Sequence, residues 1–320
     1  MLARAEDAVV RVAAAAMGTR FEAVLCGRDS ASLRAAGEAA MEEIRDADAR
    51  YSLFRRDSLL SHINRTAAER PVRVDRETFA MLACAMEVNA LAGGAFDITL
   101  APLMRVWKFH DGSSSAAEPA SAEEAAVGMD LVELDEVECT VRFKRPGVSL
   151  DLGGLAKGAA LVGAAAVLRQ AGVTSALVHG GTSSVTAIGA PPGRDGWRVQ
   201  LGRDAAPVVV LRDMSLSVSA PSGRIVERNG ERLGHIIDPR TRAPATCGIA
   251  MAAAIDESPL RAEGFSTAMV VLGARPMGAP PEMTSVILGG DGEYRVEGAR
   301  ADLVLGAGRG RPDHETEHMN

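Results

Sequence analysis

The sequence predicts an α+β fold in which antiparallel sheets are flanked by helices. Apolar residues recur at helical spacing in several segments, and other segments alternate apolar with polar residues as half-buried strands do. Asn229-Gly230, a dipeptide typical of tight β-hairpins, separates two of these strand-like segments. Helices mixed with antiparallel hairpins favour α+β over a doubly wound parallel sheet, and no repeat of about 20–50 residues indicates a solenoid or propeller.

In the first half of the chain, a strand pair precedes the helices. Met17-Gly18-Thr19 marks a turn inside the first strand-like segment, and Asp75 is placed to cap a later helix that Gly93-Gly94 ends. The predicted elements are, in order, strands over residues 9–25, a helix over 31–48, a helix over 76–92, a flexible loop over 111–119, and a short helix opened by a capping box of Ser121 and Glu124.

The second half is predicted to be mostly strand. Apolar residues alternate with polar ones over residues 137–144, which is the clearest strand pattern in the chain. The elements that follow are a turn at Pro146-Gly147, the segment 148–152, a helix from Gly153-Gly154 to about residue 172, the hairpin centred on Asn229-Gly230, a helix over 259–272, and a closing hairpin over 284–296.

Length and composition limit the domain count and the partners. At 320 residues the chain is long enough for one large domain or two ordinary ones, and we expect a single domain over residues 1–306 and a polar, disordered tail over 307–320. The net charge is −7, and only three of the 35 cationic side chains are lysine. Because there is no basic run, we expect neither nucleic acid nor an anionic membrane surface as a partner.

The chain shows no segment of membrane-spanning length. It has no run of about 18 apolar residues, and its first residues carry neither an apolar signal segment nor a cleavage site. The four cysteines lie far apart without a CxxC pair, which argues against a zinc site or a disulfide framework. We therefore expect a cytoplasmic protein without a membrane span.

Residues 151–158, DLGGLAKG, lead through two glycines into a predicted helix that carries Lys157. Glycines let backbone amides approach a ligand, and a helix N-terminus favours an anion. The pattern predicts a phosphate or dinucleotide cradle, although it is neither a P-loop nor a GxGxxG motif. Taken alone, it also fits a glycine-rich turn with a surface lysine.

Residues 261–273 contain a pair of oxygen-bearing side chains at helical spacing. Glu263 and Thr267 stand four residues apart, so a helix places both on one face with Ser266 beside them. Carboxylate and hydroxyl oxygens suit a hard cation such as Mg²⁺. A solvated glutamate followed by an ordinary mid-helix threonine would give the same spacing.

Two further segments carry polar residues at the ends of predicted elements. His235 and Asp238, in GHIIDP, close the predicted hairpin and are candidates for a base, an orienting group or a ligand. A structural histidine and an Asp-Pro turn also fit that pattern. Phe96 and Asp97, in GGAFDITLAPL, follow a helix stop, as they would in a plain joint between a helix and a strand.

In combination and in this order, these segments resemble one family, the bacterial FAD:protein FMN transferases, also called flavin transferases of the thiamine-biosynthesis-lipoprotein class. The resemblance covers roughly residues 13–275, and the succession of MGT, GAFDxTxxPL, DLGGxAKG and HIIDP is what makes it specific. It implies the flavin-transferase, T-fold-like architecture.

The resemblance also implies the reaction and its residues. The family splits FAD at its pyrophosphate with the help of Mg²⁺, transfers FMN to a Ser or Thr hydroxyl of an acceptor flavoprotein, and releases AMP. His235 is implied as the base, with Lys157 as a second catalytic group beside the pyrophosphate. The implied FAD-binding residues are Met17, Phe54, Ala95, Phe96, Asp97, Asp151, Lys157 and Ile237, and the implied Mg²⁺ ligands are the carbonyl of Gly154 with Glu263, Ser266 and Thr267.

The chain departs from the family pattern at several positions. Glu263 stands where the family usually has Asp, which moves the carboxylate by roughly 1.5 Å and is expected to weaken or shift a Mg²⁺ site of strict geometry. Thr182-Ser183-Ser184 follow Gly180-Gly181 in place of the usual Asp or Asn, and Arg242 replaces the glycine that often follows HIIDPRT. Ala220-Pro221 are inserted before the glycine expected after the serine-rich strand.

Two other functions stay open at this point. One is an FAD pyrophosphatase that uses water as the nucleophile and gives FMN and AMP. The other is an FAD-binding protein whose catalysis is weakened or lost because of Glu263. These functions share the same pocket and differ in the nucleophile and in turnover, which the sequence does not specify.

Overall fold

A large antiparallel sheet with helices packed on one face dominates the structure, a computed structural model. The described residues are 7–109, 120–202, 206–221, 225–228 and 231–306, so the loop predicted over 111–119, the turn residues 229–230 and the tail predicted over 307–320 lie outside them. The helices are α1 (Ser30–Tyr51), α2 (Leu59–Thr66), α3 (Arg76–Leu91), α4 (Ala101–Val106), α5 (Ala120–Glu123), α6 (Ala156–Gln170) and α7 (Pro259–Leu272).

The strands lie mostly in the second half of the described chain. They are β1 (Ala8–Ala16), β2 (Thr19–Gly27), β3 (Val72–Arg73), β4 (Val132–Asp135), β5 (Thr140–Phe143), β6 (Ala176–Gly180), β7 (Ser184–Ile188), β8 (Trp197–Gln200), β9 (Val208–Leu211), β10 (Ser215–Ser219), β11 (Ile225–Arg228), β12 (Glu231–Gly234), β13 (Ile237–Asp238), β14 (Ala243–Pro244), β15 (Ile249–Asp256), β16 (Thr284–Gly289), β17 (Tyr294–Glu297) and β18 (Val304–Leu305).

Eight strands form the central sheet in the order β1-β2-β6-β7-β10-β15-β16-β17, and every neighbouring pair is antiparallel. Helices α1, α6 and α7 pack together on one face, and α3 packs against α7. Strands β8 and β9 add apolar side chains on the opposite face. The predicted arrangement of antiparallel sheets with flanking helices is therefore confirmed.

The middle of the central sheet is buried on both faces, and β15 shows how the sequence achieves this. Its residues Ala252 and Ala254 belong to the core beneath the helices. Met251, Ala253 and Ile255 point to the opposite core, as the two-residue period of a strand requires. A nearly continuous apolar segment is the expected sequence of such a strand.

Turn and cap residues place several elements where the sequence predicts them. Met17 and Gly18 form the two-residue turn between β1 and β2, and both have positive φ (50° and 69°), as a type I′ hairpin turn requires. The Asp75 carboxylate caps α3 by accepting a 2.8 Å hydrogen bond from the Thr78 amide. Helix α7 follows its N-cap Ser258. Its C-cap is Gly273, which has a φ of 70°.

Two local predictions are wrong. The strand predicted over 137–144 begins only at Thr140, because Val137 and Cys139 lie in the turn between β4 and β5; Val137 is 88% exposed, and Cys139 has a φ of 50°. Helix α5 begins at Ala120, so Ser121 lies inside the helix and is not its N-cap.

None of the helices described by the structure is long and apolar enough to cross a bilayer. The single domain over residues 1–306 stays a prediction.

Candidate functional site

The DLGG segment enters α6 through a set of backbone and side-chain hydrogen bonds. The Asp151 amide donates to the Ile98 carbonyl at 2.7 Å, and the Asp151 carboxylate accepts from the Gly153 amide at 2.9 Å. The Asn64 side chain of α2 holds both backbone groups of Leu150, at 2.7 and 2.9 Å. These bonds fix the chain immediately before α6 and place it beside the GAFD segment.

At the second residue of α6, Lys157 contacts a glutamate and two serines. Its Nζ lies 2.6 Å from Ser184 Oγ, 2.9 Å from Ser183 Oγ, and 3.4 and 3.5 Å from the two carboxylate oxygens of Glu263. Ser184 Oγ also donates a short hydrogen bond to Glu263 Oε1. The side chains of Lys157 and Glu263 are only 22% and 6% exposed. We call these four residues the lysine–glutamate cluster.

Next to this cluster, hydroxyl groups of α7 and β10 contact one another. Ser266 Oγ lies 3.1 Å from Ser217 Oγ and 2.8 Å from Ser219 Oγ, and it donates to the Glu263 carbonyl at 3.0 Å. Thr267 Oγ1 donates to the same carbonyl at 3.1 Å. All three positions lie within α7, so their spacing of three and four residues places Glu263, Ser266 and Thr267 on one face of the helix.

Gly154 brings the GAFD segment to this face of α7. A Cβ atom at Gly154 would lie 3.3 Å from Phe96 Cε2 and 3.9 Å from Thr267 Oγ1. A side chain at this position would therefore crowd the Phe96 ring. Three segments that are far apart in sequence, those of Phe96, Gly154 and Thr267, meet at this point.

Asp97 lies buried next to Phe96. Its carboxylate accepts 2.6 Å hydrogen bonds from the amide and the hydroxyl of Thr99. Burial raises the pKa of the Asp97 carboxyl above its ordinary value, and the Thr99 hydrogen bonds oppose this rise. A buried carboxyl with a raised pKa is typical of functional sites as well as of structural turns. Ala95, on the other side of Phe96, is also buried.

The HIIDPR segment forms a tight charged turn. Asp238 accepts hydrogen bonds from the Arg240 amide at 2.9 Å and from its guanidinium at 2.9 and 2.8 Å. Burial would raise the pKa of the Asp238 carboxyl, but these bonds and the charge of Arg240 hold it below its ordinary value. A Cβ at Gly94 would lie 4.0 Å from Arg240 Cγ, so the turn packs against the loop that precedes Ala95.

Arg242 completes this turn, and we call Asp238, Arg240 and Arg242 the arginine turn. Arg242 has a φ of 59°, the left-handed conformation that glycine adopts most readily. Its guanidinium donates to the carbonyls of Ala122, Glu123 and Ala125 at 2.9–3.0 Å. The conformation explains why glycine suits this position, and the three hydrogen bonds show what the arginine adds.

The remaining predicted residues lie around these segments. His235 is half-buried between β12 and β13. Ile237 packs into a small apolar cluster with Trp107 and Phe109. Phe54 is 70% exposed on the loop between α1 and α2. The roles of His235, Ile237 and Phe54 in the site stay predictions.

Met17 lies in a turn that neighbours the end of β6. The Gly181 amide donates to the Arg20 carbonyl at 2.9 Å, and a Cβ at Gly181 would lie 2.6 Å from Thr19 Oγ1. Glycine at position 181 therefore allows the β1–β2 turn to approach the chain that carries Ser183. Met17 itself is half-buried against the core beneath the helices.

The predicted metal ligands fit Mg²⁺ by donor chemistry. Glu263 offers a carboxylate, Thr267 and Ser266 offer hydroxyls, and Gly154, whose carbonyl is the fourth predicted ligand, lies next to Thr267. Mg²⁺ is commonly held by one or two carboxylates together with substrate phosphates. Among the described residues, no group of three or more His, Cys, Asp and Glu is placed to hold a metal by itself. The set therefore suits an ion that is coordinated partly by these protein groups and partly by a phosphate group.

Ser183, Ser184, Ser217 and Ser219 were not predicted as site residues. The sequence carries a signal for the latter two, because SLSVS alternates serine with apolar residues, and Ser217 is nevertheless buried. A strand that buries its polar face needs partners for those hydroxyls. The register pairs Ser217 with Ser184, which brings the strand to the lysine–glutamate cluster.

Known proteins with similar sequences and folds show which class of protein this chain resembles. The FAD:protein FMN transferase of Treponema pallidum is 30% identical over 267 residues, 77% of this chain and 74% of that protein. The Haemophilus influenzae FAD:protein FMN transferase is 28% identical over 286 residues, 84% of this chain and 82% of that protein. The crystal structure of the ApbE protein of Thermotoga maritima matches with a TM-score of 0.81 and 25% identity, covering 92% of this chain and 99% of that one. The fold is therefore that of the flavin transferases.

The chain belongs to the ApbE family, whose family model matches residues 17–279. The matched range contains every segment on which the resemblance was based. The predicted family and fold class are therefore confirmed.

Proposed function

We propose that this protein transfers FMN from FAD to a Ser or Thr hydroxyl of an acceptor flavoprotein in a Mg²⁺-dependent reaction that releases AMP. The observation that carries the proposal is the meeting of the GAFD segment, the DLGG segment and α7 around Gly154, with Lys157 and Glu263 alongside. The activity of the named relatives supports the same reaction.

The reaction is a phosphoryl-group transfer, and its demands match these residues. The acceptor oxygen forms a bond to the phosphorus of the FMN half, and the bond from that phosphorus to the bridging oxygen breaks, so that AMP leaves with the electron pair. Such reactions depend mainly on positioning and on stabilising negative charge. Lys157 and the amides at the start of the 15-residue helix α6 supply positive potential for the pyrophosphate.

Mg²⁺ would be held by Glu263 and Thr267, with the Gly154 carbonyl and the Ser266 hydroxyl beside them. The ion neutralises the charge of the pyrophosphate when it is bound. The Ser266 hydroxyl already contacts two serines of β10 and a carbonyl of its own helix. We therefore assign Ser266 mainly the task of holding α7 and its ligands against the sheet.

The flavin and adenosine parts of FAD would be bound by residues of five segments. Phe54 offers an exposed aromatic ring, and aromatic rings stack readily on planar groups. Asp97 and Asp151 offer acceptors for N–H and O–H groups of the ligand. Met17, Ala95, Phe96 and Ile237 complete the predicted FAD contacts. His235 would take the proton from the acceptor hydroxyl.

The test is a transfer assay that uses the full chain, FAD, Mg²⁺ and a Thr-containing flavoprotein acceptor. We expect mass spectrometry to find FMN covalently attached to the acceptor threonine, together with one AMP for each FMN transferred. An acceptor with Thr→Val and a reaction with EDTA serve as controls and should give no adduct.

Other outcomes of this assay identify the alternatives. AMP and free FMN formed at the same rate without acceptor would identify water as the nucleophile and contradict the transferase proposal. Tight FAD binding without AMP or adduct at any metal concentration would identify a binding protein and would also contradict it.

A further inference from the structure

The Lys157 ammonium occupies the position of a bound cation. Four oxygen atoms surround its Nζ at 2.6, 2.9, 3.4 and 3.5 Å, two from serine hydroxyls and two from the Glu263 carboxylate. An ammonium has three N–H donors, which Ser183, Ser184 and the carboxylate engage. The one carboxylate of the predicted Mg²⁺ ligand set is therefore already paired with a positive charge of the protein.

We propose that Lys157 competes with the divalent cation for Glu263, so that metal binding releases the ammonium toward the substrate phosphates. The inference rests on the proposed function, because it takes Glu263 as a ligand of the reaction's metal ion. It adds that Lys157 determines how tightly that ion binds before FAD arrives.

Electrostatics requires this competition in a mostly buried site. A divalent ion on Glu263 would lie close to the ammonium, and two positive charges in a partly desolvated site repel each other strongly. The Lys157 side chain is 22% exposed, and its ammonium lies at the end of a long flexible chain, so it is able to move away from the carboxylate. The Glu263 side chain, 6% exposed, has less freedom to move.

The length of Glu263 and the absence of a side chain at Gly158 make the pairing possible. A Cβ at Gly158 would lie 2.9 Å from Glu263 Cγ and equally close to the Pro259 carbonyl oxygen. Glycine therefore clears the path along which the glutamate extends to Ser184 and Lys157. An aspartate at position 263 would end roughly 1.5 Å short of these partners.

The competition couples two binding events. If the metal frees Lys157, and if the free ammonium then binds a phosphate oxygen, metal and FAD must each increase the affinity for the other by the same factor. Because Lys157 and Glu263 are paired in the free protein, the metal ion and FAD should bind more tightly together than either does alone.

The experiment measures Mn²⁺ binding to the full chain without FAD, by the electron paramagnetic resonance signal of the free ion. We expect Lys157→Met to bind Mn²⁺ about tenfold more tightly than the wild type, within the usual range of coupling between sites. Lys144→Met removes the same charge from an exposed position immediately after β5 and should leave the affinity unchanged. Adding Glu263→Gln to Lys157→Met should abolish the gain.

Unchanged or weaker Mn²⁺ binding by Lys157→Met, or no binding by either protein, would overturn the inference. Binding by the variant with none detectable in the wild type would support it. Thermal unfolding reports whether the variant is folded, and Lys157→Gln replaces it if it is not. Since FAD is absent, failure here leaves the transfer assay of the wild type to decide the proposed function separately.

Discussion

The lysine–glutamate cluster and the arginine turn both pair a carboxylate with a cation, but the fold holds them in different ways. Lys157 and Glu263 are 106 residues apart in sequence and meet because α6 packs on α7. Asp238 and Arg240 are two residues apart, and the Arg240 side chain is 45% exposed. The first pair exists only in the folded chain, whereas the second shapes a local turn.

This difference predicts where each region acts. A long-range, mostly buried pair beside a helix N-terminus is suited to bind ligands, so its substitution should change binding and catalysis. A local turn that fixes the backbone should change stability first. Substitutions in the two regions should therefore differ in kind, with the largest losses of transfer in the lysine–glutamate cluster.

Glu263→Gln should lower the rate of FMN transfer by roughly 100- to 1000-fold, because the amide keeps the shape but loses the charge that a metal ion needs. The measurement is the initial rate of adduct formation at saturating FAD. Glu257→Gln is the matched control, an exposed glutamate just before α7, and its rate should stay within about twofold of the wild type. A Glu263→Gln rate near that of the control would contradict the assignment.

Arg242→Ala should lower the free energy of unfolding by about 2 kcal/mol, since it removes three hydrogen bonds to carbonyls, while the strain of a Cβ in the left-handed conformation is the same in wild type and variant. Arg242→Gly loses the same bonds without the backbone strain and should be less damaging by about 1 kcal/mol. Urea unfolding measures both. Equal values for the two variants would show that the conformation at this position contributes nothing.

Ser184→Ala should slow FMN transfer by about tenfold, because residues that orient a metal ligand commonly have effects of this size. Ser184 donates to Glu263 and accepts from Lys157, so its loss leaves both side chains less well oriented. Ser215→Ala is the control, an equally buried serine of the same sheet that contacts Thr186 instead. Equal losses of activity in the two variants would indicate a general packing effect.

Asp238→Asn should reduce the free energy of unfolding at neutral pH by about 0.5 kcal/mol, a small effect because its arginine partner is nearly half exposed. The fold lowers the pKa of Asp238, so its contribution is complete above the unfolded pKa and disappears as the pH falls through the folded value. The difference between wild type and variant should therefore vanish in acid. Urea unfolding from neutral pH to about pH 3 measures it, and a difference that grows in acid would refute the prediction.

Local signals in the sequence were sufficient for much of the fold. The Met17-Gly18 turn, the Asp75 cap and the limits of α7 depend on residues next to one another, and all three are confirmed. The strand predicted from residue 137 is wrong at its start because alternation also occurs by chance in a turn. Val137 is apolar and yet 88% exposed there.

The site was predictable only in part, for the same reason. The spacing of Glu263 and Thr267 placed them on one helix face, and the structure has both on that face. The partner of the Glu263 carboxylate depends on how α6 packs on α7, and the periodicity of the local sequence does not reveal that packing. Ser184 reaches the same carboxylate because β7 pairs with β10 beneath α7, a consequence of sheet order.

A single-turnover reaction of FAD with excess enzyme, Mg²⁺ and acceptor tests the role of the lysine–glutamate cluster, because AMP and acceptor-bound FMN are counted together. We predict equal amounts of both products with the wild type, formed at the same rate, and neither product on that timescale with Glu263→Gln. AMP formed without bound FMN, or an undiminished yield of both products from Glu263→Gln, would contradict the claim that the lysine–glutamate cluster serves FMN transfer.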